Sequence, residues 1–119
     1  MTFYDTPTWK AVRARVLRRD KYQDALLARY GKKREAEIVH HIFPRERYPQ
    51  YQYEMWNLIS VSRATHNRLH IRDTDELTEM GLELMERTAK KQGLFFAGGD
   101  TEDDDEETQQ EEENVSPPL

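Results

Sequence analysis

The 119-residue sequence contains no cysteine. Disulfides, Cys-ligated zinc and thiol nucleophiles are therefore excluded together. Long apolar runs are missing too, and no stretch approaches the ~18 residues of a membrane span. Met1 to Lys10 has no basic segment leading into an apolar one. No secretory signal and no membrane partner are expected, and a cytoplasmic location fits. Hydrophobic residues make up 36% and charged residues 34%, so the chain supports one domain with a small core.

Positive charge is scarce only on average. The formal net charge is −5, yet residues 100–113 hold ten acidic residues and no Lys or Arg. Residues 1–99 carry eighteen basic against thirteen acidic residues, a net of +5. Residues 1–72 carry fifteen against seven, a net of +8. The chain reads as a basic domain with an acidic tail. The domain suits a polyanionic partner and the tail does not. The tail's composition cannot form a core, which predicts disorder over 98–119.

The pattern along the chain is mixed helix and strand. Thr6-Pro7 predicts a helix start, and Trp9, Val12, Val16 and Leu17 give the buried stripe of a helix over 7–19. Asp20 is the expected cap of a second, shorter helix carrying Tyr22, Leu26, Leu27 and Tyr30, ended by Gly31. Residues 37–42 read as a strand, 43–56 as an ordered aromatic loop and 58–61 as the return strand. Ser62 is the expected cap of a helix over 63–71. Thr74 is the expected cap of a last helix with Leu77, Met80, Leu84 and Met85 inward. Gly81 weakens that helix and Gly93 stops it.

All four histidines of the chain fall in two pairs. His66 and His70 are four residues apart on an expected helix, so both imidazoles can grip one ion. One histidine of the His40-His41 pair could complete a three-nitrogen set, which leaves positions open as catalytic metal sites do. Neighbours in a strand point to opposite faces, so His40 and His41 cannot easily share the ion. If one is a ligand, the other is free to act as a base, with an ordinary pKa near ~6.5. A purely structural four-histidine site is the competing reading.

The stretch Val39-His40-His41-Ile42-Phe43-Pro44, then Asn57-Leu58-Ile59, then His66-Asn67-Arg68-Leu69-His70 resembles the HNH endonuclease family. Trp9, Arg13, Leu17, Arg19 and Asp20 match the opening of its small phage and bacterial members. The resemblance covers about residues 8–72. It implies an α+β fold with a ββα-metal (His-Me finger) core at about 36–72, flanked by N- and C-terminal helices. The implied domain is 1–97, followed by the acidic tail 98–119. Carried over by position, His40, His66 and His70 are metal ligands, His41 is the general base, and Asn57 braces the loop that orients it. The cofactor is then one divalent ion: Mg²⁺, Mn²⁺, Zn²⁺, Ni²⁺ or Co²⁺. Three imidazoles favour the softer of these by ligand type.

The resemblance implies hydrolysis of a DNA phosphodiester, with the ion offsetting developing charge and His41 taking the proton of the attacking water. Arg68, Arg13, Arg15, Arg45 and Arg63 are the candidate DNA contacts, and Arg68 lies between two proposed ligands. No base-reading helix is evident, so weak sequence specificity is expected. Kinship with phage members also implies a packaging terminase as a possible partner, although no residue here points to one. The competing functions are a catalytically silent DNA-binding module with a structural metal, and an interaction subunit acting through its tail. Many small members hold a structural zinc with two Cys pairs, at positions that are Asp24, Leu27, Ser62 and Thr65 here. Tyr22, Leu26, Leu27, Tyr30 and Trp56 are expected to supply apolar packing instead.

Overall fold

The computed structural model describes residues 2–94. The chain divides into two compact units, Met1–Thr88 and Ala89–Leu119. The acidic tail and the expected boundary at 97/98 lie outside the described residues.

Helix α1 spans Pro7–Arg19 as its sequence predicts. Proline occupies its first turn, and the Thr6 hydroxyl accepts the Trp9 N–H at 3.2 Å. Trp9, Val12, Val16 and Leu17 are buried and join Val39 and Leu58 in one hydrophobic cluster. Each such side chain contributes roughly 1.5–3 kcal/mol by leaving water. Past Asp20, Lys21 and Tyr22 both take left-handed backbone (φ 59° and 60°), so the chain turns sharply and the helix cannot continue.

The end of α1 is fastened to the hairpin. Arg19 donates to the carbonyls of Met55 (2.8 Å) and Leu58 (2.7 Å) and pairs with the Asp20 carboxylate. Asp20 accepts the Ser60 N–H at 3.0 Å. Asp20 is thus the C-cap of α1 and not the N-cap of the next helix. That role falls to Asp24, whose side chain accepts the Leu27 N–H at 2.9 Å at the start of α2 (Ala25–Ala28).

Strands β1 (Ile38–His41) and β2 (Leu58–Val61) form an antiparallel pair. His40 faces Ile59 across the ladder and His41 faces Leu58. The connection packs on its own aromatics: Phe43 is buried, with Tyr48, Tyr51 and Trp56 edge-on to it at 5.1, 5.4 and 5.7 Å.

Helix α3 spans Arg63–Leu69, and the Ser62 hydroxyl accepts the Thr65 N–H at 3.2 Å. It is shorter than expected. His70 is extended (φ −117°, ψ 145°) and bridges to Leu77, while the Thr78 N–H donates to the Leu69 carbonyl at 2.9 Å. This cross-link takes over the carbonyl where the helix would otherwise have continued. Helix α4 spans Glu79–Gln92. Its first turn is served by Thr78, whose hydroxyl accepts the Gly81 N–H at 3.2 Å. Thr74 instead closes the preceding turn, donating to the Ile71 carbonyl. Gly81 is required by close approach, because a Cβ there would collide with the Leu69 carbonyl oxygen. In the second unit, Gly93 (φ 69°) ends the helix, with the Leu94 N–H on the Ala89 carbonyl at 2.9 Å.

The apolar packing expected in place of a zinc cage is not what holds this region. Tyr22 and Tyr30 are 55% and 65% exposed and pack little, whereas Leu26 is buried. The centre of this region is polar instead. Asp24 is fully buried and accepts the Ser62 N–H at 2.8 Å as well as that of Leu27. Ser62 and Thr65 join their hydroxyls at 3.2 Å. Burial alone would raise the Asp24 pKa, but the bonds from Ser62, Thr65 and Leu27 outweigh it and hold it below 3.8. Asp24, Leu27, Ser62 and Thr65 are thus all four tied together by hydrogen bonds around the Asp24 carboxylate.

Candidate metal centre

The hairpin and α3 bring three histidines together. The ligand atoms of His40, His66 and His70 all lie within 4.8 Å of one another. Ring centroids are 5.4 Å apart for His40 and His66, 5.0 Å for His40 and His70, and 4.7 Å for His66 and His70. His70 reaches this cluster from just beyond α3 rather than from a helical i, i+4 position.

His40 is 1% exposed, and neither ring nitrogen has a hydrogen-bond partner. Burying two unpaired nitrogens is costly unless something else meets them. Burial pushes the His40 pKa well below 6.5, and positive charge on His70, His66 and His41 would push it the same way. His66 is lowered by burial and by His70 and Arg63. Neutral imidazole is the form that binds metal. At His70, Nδ1 lies 3.2 Å from the Asp75 carbonyl oxygen, which can only accept. Nδ1 therefore carries the proton and Nε2 the free lone pair. The three residues fit one divalent ion.

His41 lies on the other face of β1, as strand alternation requires. Its ring stacks on Trp9 at 5.0 Å (23°), with Phe3 at 6.0 Å and Tyr4 at 6.5 Å. Its Nε2 lies 3.1 Å from the Gln52 carbonyl oxygen. Nε2 is thus the donor, which leaves the Nδ1 lone pair to accept a proton. Burial lowers the His41 pKa to about 4, against the raising effect of the Gln52 bond and together with the lowering effect of Arg45. The ring stays neutral at physiological pH.

Asn57 is fully buried in the turn that leads into β2. Its Oδ1 accepts the Phe43 N–H at 2.7 Å, and Nδ2 donates to the carbonyls of Phe43 (3.3 Å) and Tyr51 (3.1 Å). It ties both ends of the loop that carries Gln52.

All four histidines line one open cleft of about 1190 Å³. Of the expected DNA contacts, Arg13 and Arg45 line it, while Arg15, Arg63 and Arg68 do not. Arg13 also donates to the Glu37 carbonyl at 2.9 Å, and Arg63 lies 3.8 Å from the Glu37 carboxylate. Between His66 and His70, the residue that lines the cleft is Asn67. Tyr4, Trp9 and Lys10 line the cleft without having been singled out as site residues. Trp9 stood out as one position of a core stripe and of the family's opening rather than as a cleft residue, and Tyr4 gave no periodic signal.

No family model matches the chain, and no curated protein matches it. Among solved structures, it is similar to the HNH endonuclease of the deep-sea thermophilic bacteriophage GVE2, crystallised with manganese ion. Identity is 35% and the TM-score 0.55, over 56% of this chain and 72% of the phage enzyme. The α+β fold, the hairpin followed by α3 and the histidine cluster agree with that relationship. The chain belongs to the HNH endonuclease family.

Proposed function

We propose that the protein is a metal-dependent endonuclease that hydrolyses DNA phosphodiester bonds. The observation that carries this reading is the split of the adjacent histidines. His40 closes a three-imidazole cluster on one face of β1, and His41 holds a free, neutral Nδ1 on the other, above the same cleft.

His40, His66 and His70 would hold the ion. When bound, a divalent ion supplies Lewis-acid stabilisation of negative charge on the phosphate and leaving oxygens. His41 Nδ1 takes the proton of the attacking water, while Nε2–H stays on the Gln52 carbonyl and fixes the ring. Asn57 acts through Tyr51 and Phe43 by holding that loop in place. The net positive charge of residues 1–72 supports DNA as the substrate, with Arg13 and Arg45 at the cleft and Arg15, Arg63 and Arg68 as further contacts outside it. Mn²⁺, Zn²⁺, Ni²⁺ and Co²⁺ suit three imidazoles better than Mg²⁺ does. A bacterial-host cytoplasm and a packaging terminase as partner would follow from phage kinship.

Plasmid nicking with and without each ion tests this reading. Cleavage that appears with a divalent ion and vanishes with chelator is the expected result. DNA binding without cleavage in any of the five ions would support the catalytically silent module instead.

A further inference from the structure

One charged group in the cleft lacks an acceptor. Arg45 Nε is buried and has no hydrogen-bond partner. Among the described residues, its guanidinium makes no hydrogen bond or ion pair to a protein acceptor. It is nonetheless held in place, because its Cζ sits 4.3 Å from the centre of the Phe3 ring and 5.4 Å from that of Tyr4. Cation–π contacts of this kind position a guanidinium without using its donors.

Phe3 is itself fixed from several sides. Its ring meets Trp9 at 5.2 Å, stacks on Tyr53 at 5.5 Å (22°) and lies 6.0 Å from His41. The turn Phe3–Asp5 is closed at both ends. The Thr2 hydroxyl donates to the Asp5 carboxylate at 3.0 Å, and the Thr6 hydroxyl donates to the Phe3 carbonyl at 2.8 Å. An unpaired guanidinium that lines the same cleft as the histidine cluster is arranged to meet an anion.

We infer that Arg45 is an anion-binding residue of the cleft, taking a phosphodiester oxygen of the substrate strand. We infer also that the N-terminal turn is its bracket, with Phe3 and Tyr4 as positioning residues that act through Arg45. This deepens the nuclease reading and rests on it for the identity of the anion.

A double-mutant cycle on the full chain tests the inference. The probe is a fluorescein-labelled duplex at low salt, with chelator present so that affinity is read without cleavage. Arg45→Ala should weaken binding on the order of 10-fold or more. Phe3→Ala should weaken it by roughly 3- to 10-fold in the parent. In the Arg45→Ala background, Phe3→Ala should add no further loss. Phe3→Leu keeps an apolar side chain without a ring face, so it should match Phe3→Ala on DNA while melting closer to the parent. An equal loss from Phe3→Ala in both backgrounds would overturn the bracket, since a merely structural residue behaves that way. Parental affinity in Arg45→Ala would overturn the anion site. The two readings fail separately. A parent that cleaves with metal while Arg45→Ala binds and cleaves equally well sinks only the inference. A parent that never cleaves, yet shows the coupling on DNA, sinks only the nuclease reading.

Discussion

His40 and His41 share a backbone and differ in everything that decides their chemistry. His40 has two buried nitrogens with no protein partner, whereas His41 has one nitrogen on a carbonyl and the other open. Alternation along β1 made this split legible in the sequence, because neighbours on a strand must face apart. Which of the two joins the His66–His70 cluster is set by α3 on one side and Trp9 on the other, a tertiary fact that spacing could not supply. Burial also leaves a mark on stability. The folded His41 pKa is about 4 against an ordinary 6.5. Between those values the unfolded chain binds the extra proton, so stability is fully present above about pH 6.5 and falls as the pH is lowered towards 4. The lowered pKa values of His40 and His66 act in the same direction. Thermal melts of the chelator-treated protein should therefore move down steadily across that window. A melting temperature unchanged from pH 7 to pH 4.5 would contradict the buried, neutral histidines.

At the level of elements, α1 and the hairpin were readable because their signals are local: Thr6-Pro7, a stripe at helical spacing, and two short apolar runs. The caps were less so. Asp20 and Asp24 are both suited to capping by residue type, but Ser60 draws Asp20 to β2, and Asp24 caps α2. Thr74 and Thr78 are likewise interchangeable in sequence, and the bond from the Gly81 N–H to the Thr78 hydroxyl shows which one serves the first turn of α4. The region around α2 gives the sharper lesson. Exposed Tyr22 and Tyr30 were reasonable candidates for packing, yet a fully buried carboxylate organises it instead. Asp24→Ala leaves the Leu27 and Ser62 N–H groups without their acceptor, at a cost of about 2–4 kcal/mol. Tyr30→Ala, at an exposed position, should stay within about 0.5 kcal/mol of the parent. Urea unfolding compares the two, and equal losses would show that the hydrogen-bonded centre is not what holds α2 to β2.

For the whole molecule, opposite charges lie in different parts of one chain. Residues 1–99 carry a net +5, and residues 100–113 add ten acidic side chains. The histidine pairs and the basic surface pointed to nucleic acid from the sequence because charge and residue type need no fold to be read. The aromatic bracket over Arg45 did not, because it joins residues 3 and 4 to residue 45 across the molecule. If the tail competes with DNA for the basic surface, truncation after Gly99 tightens DNA binding at low salt, and the gain shrinks as salt screens both interactions. Fluorescence anisotropy over a salt series reads this directly, and equal affinity of both chains at low salt would show no such competition.

The central claim is that adjacent histidines divide metal binding from proton transfer. Calorimetric titration of Mn²⁺ into His40→Ala, His41→Ala, His66→Ala and His70→Ala, beside plasmid nicking by the same proteins, tests it most directly. His40→Ala, His66→Ala and His70→Ala should each lose metal affinity together with cleavage. His41→Ala should bind Mn²⁺ nearly as the parent does, while cleavage falls by roughly 10²- to 10⁴-fold, the usual cost of a lost general base. A His41→Ala protein that loses Mn²⁺ as badly as His66→Ala, or that nicks DNA at the parental rate, would contradict the account.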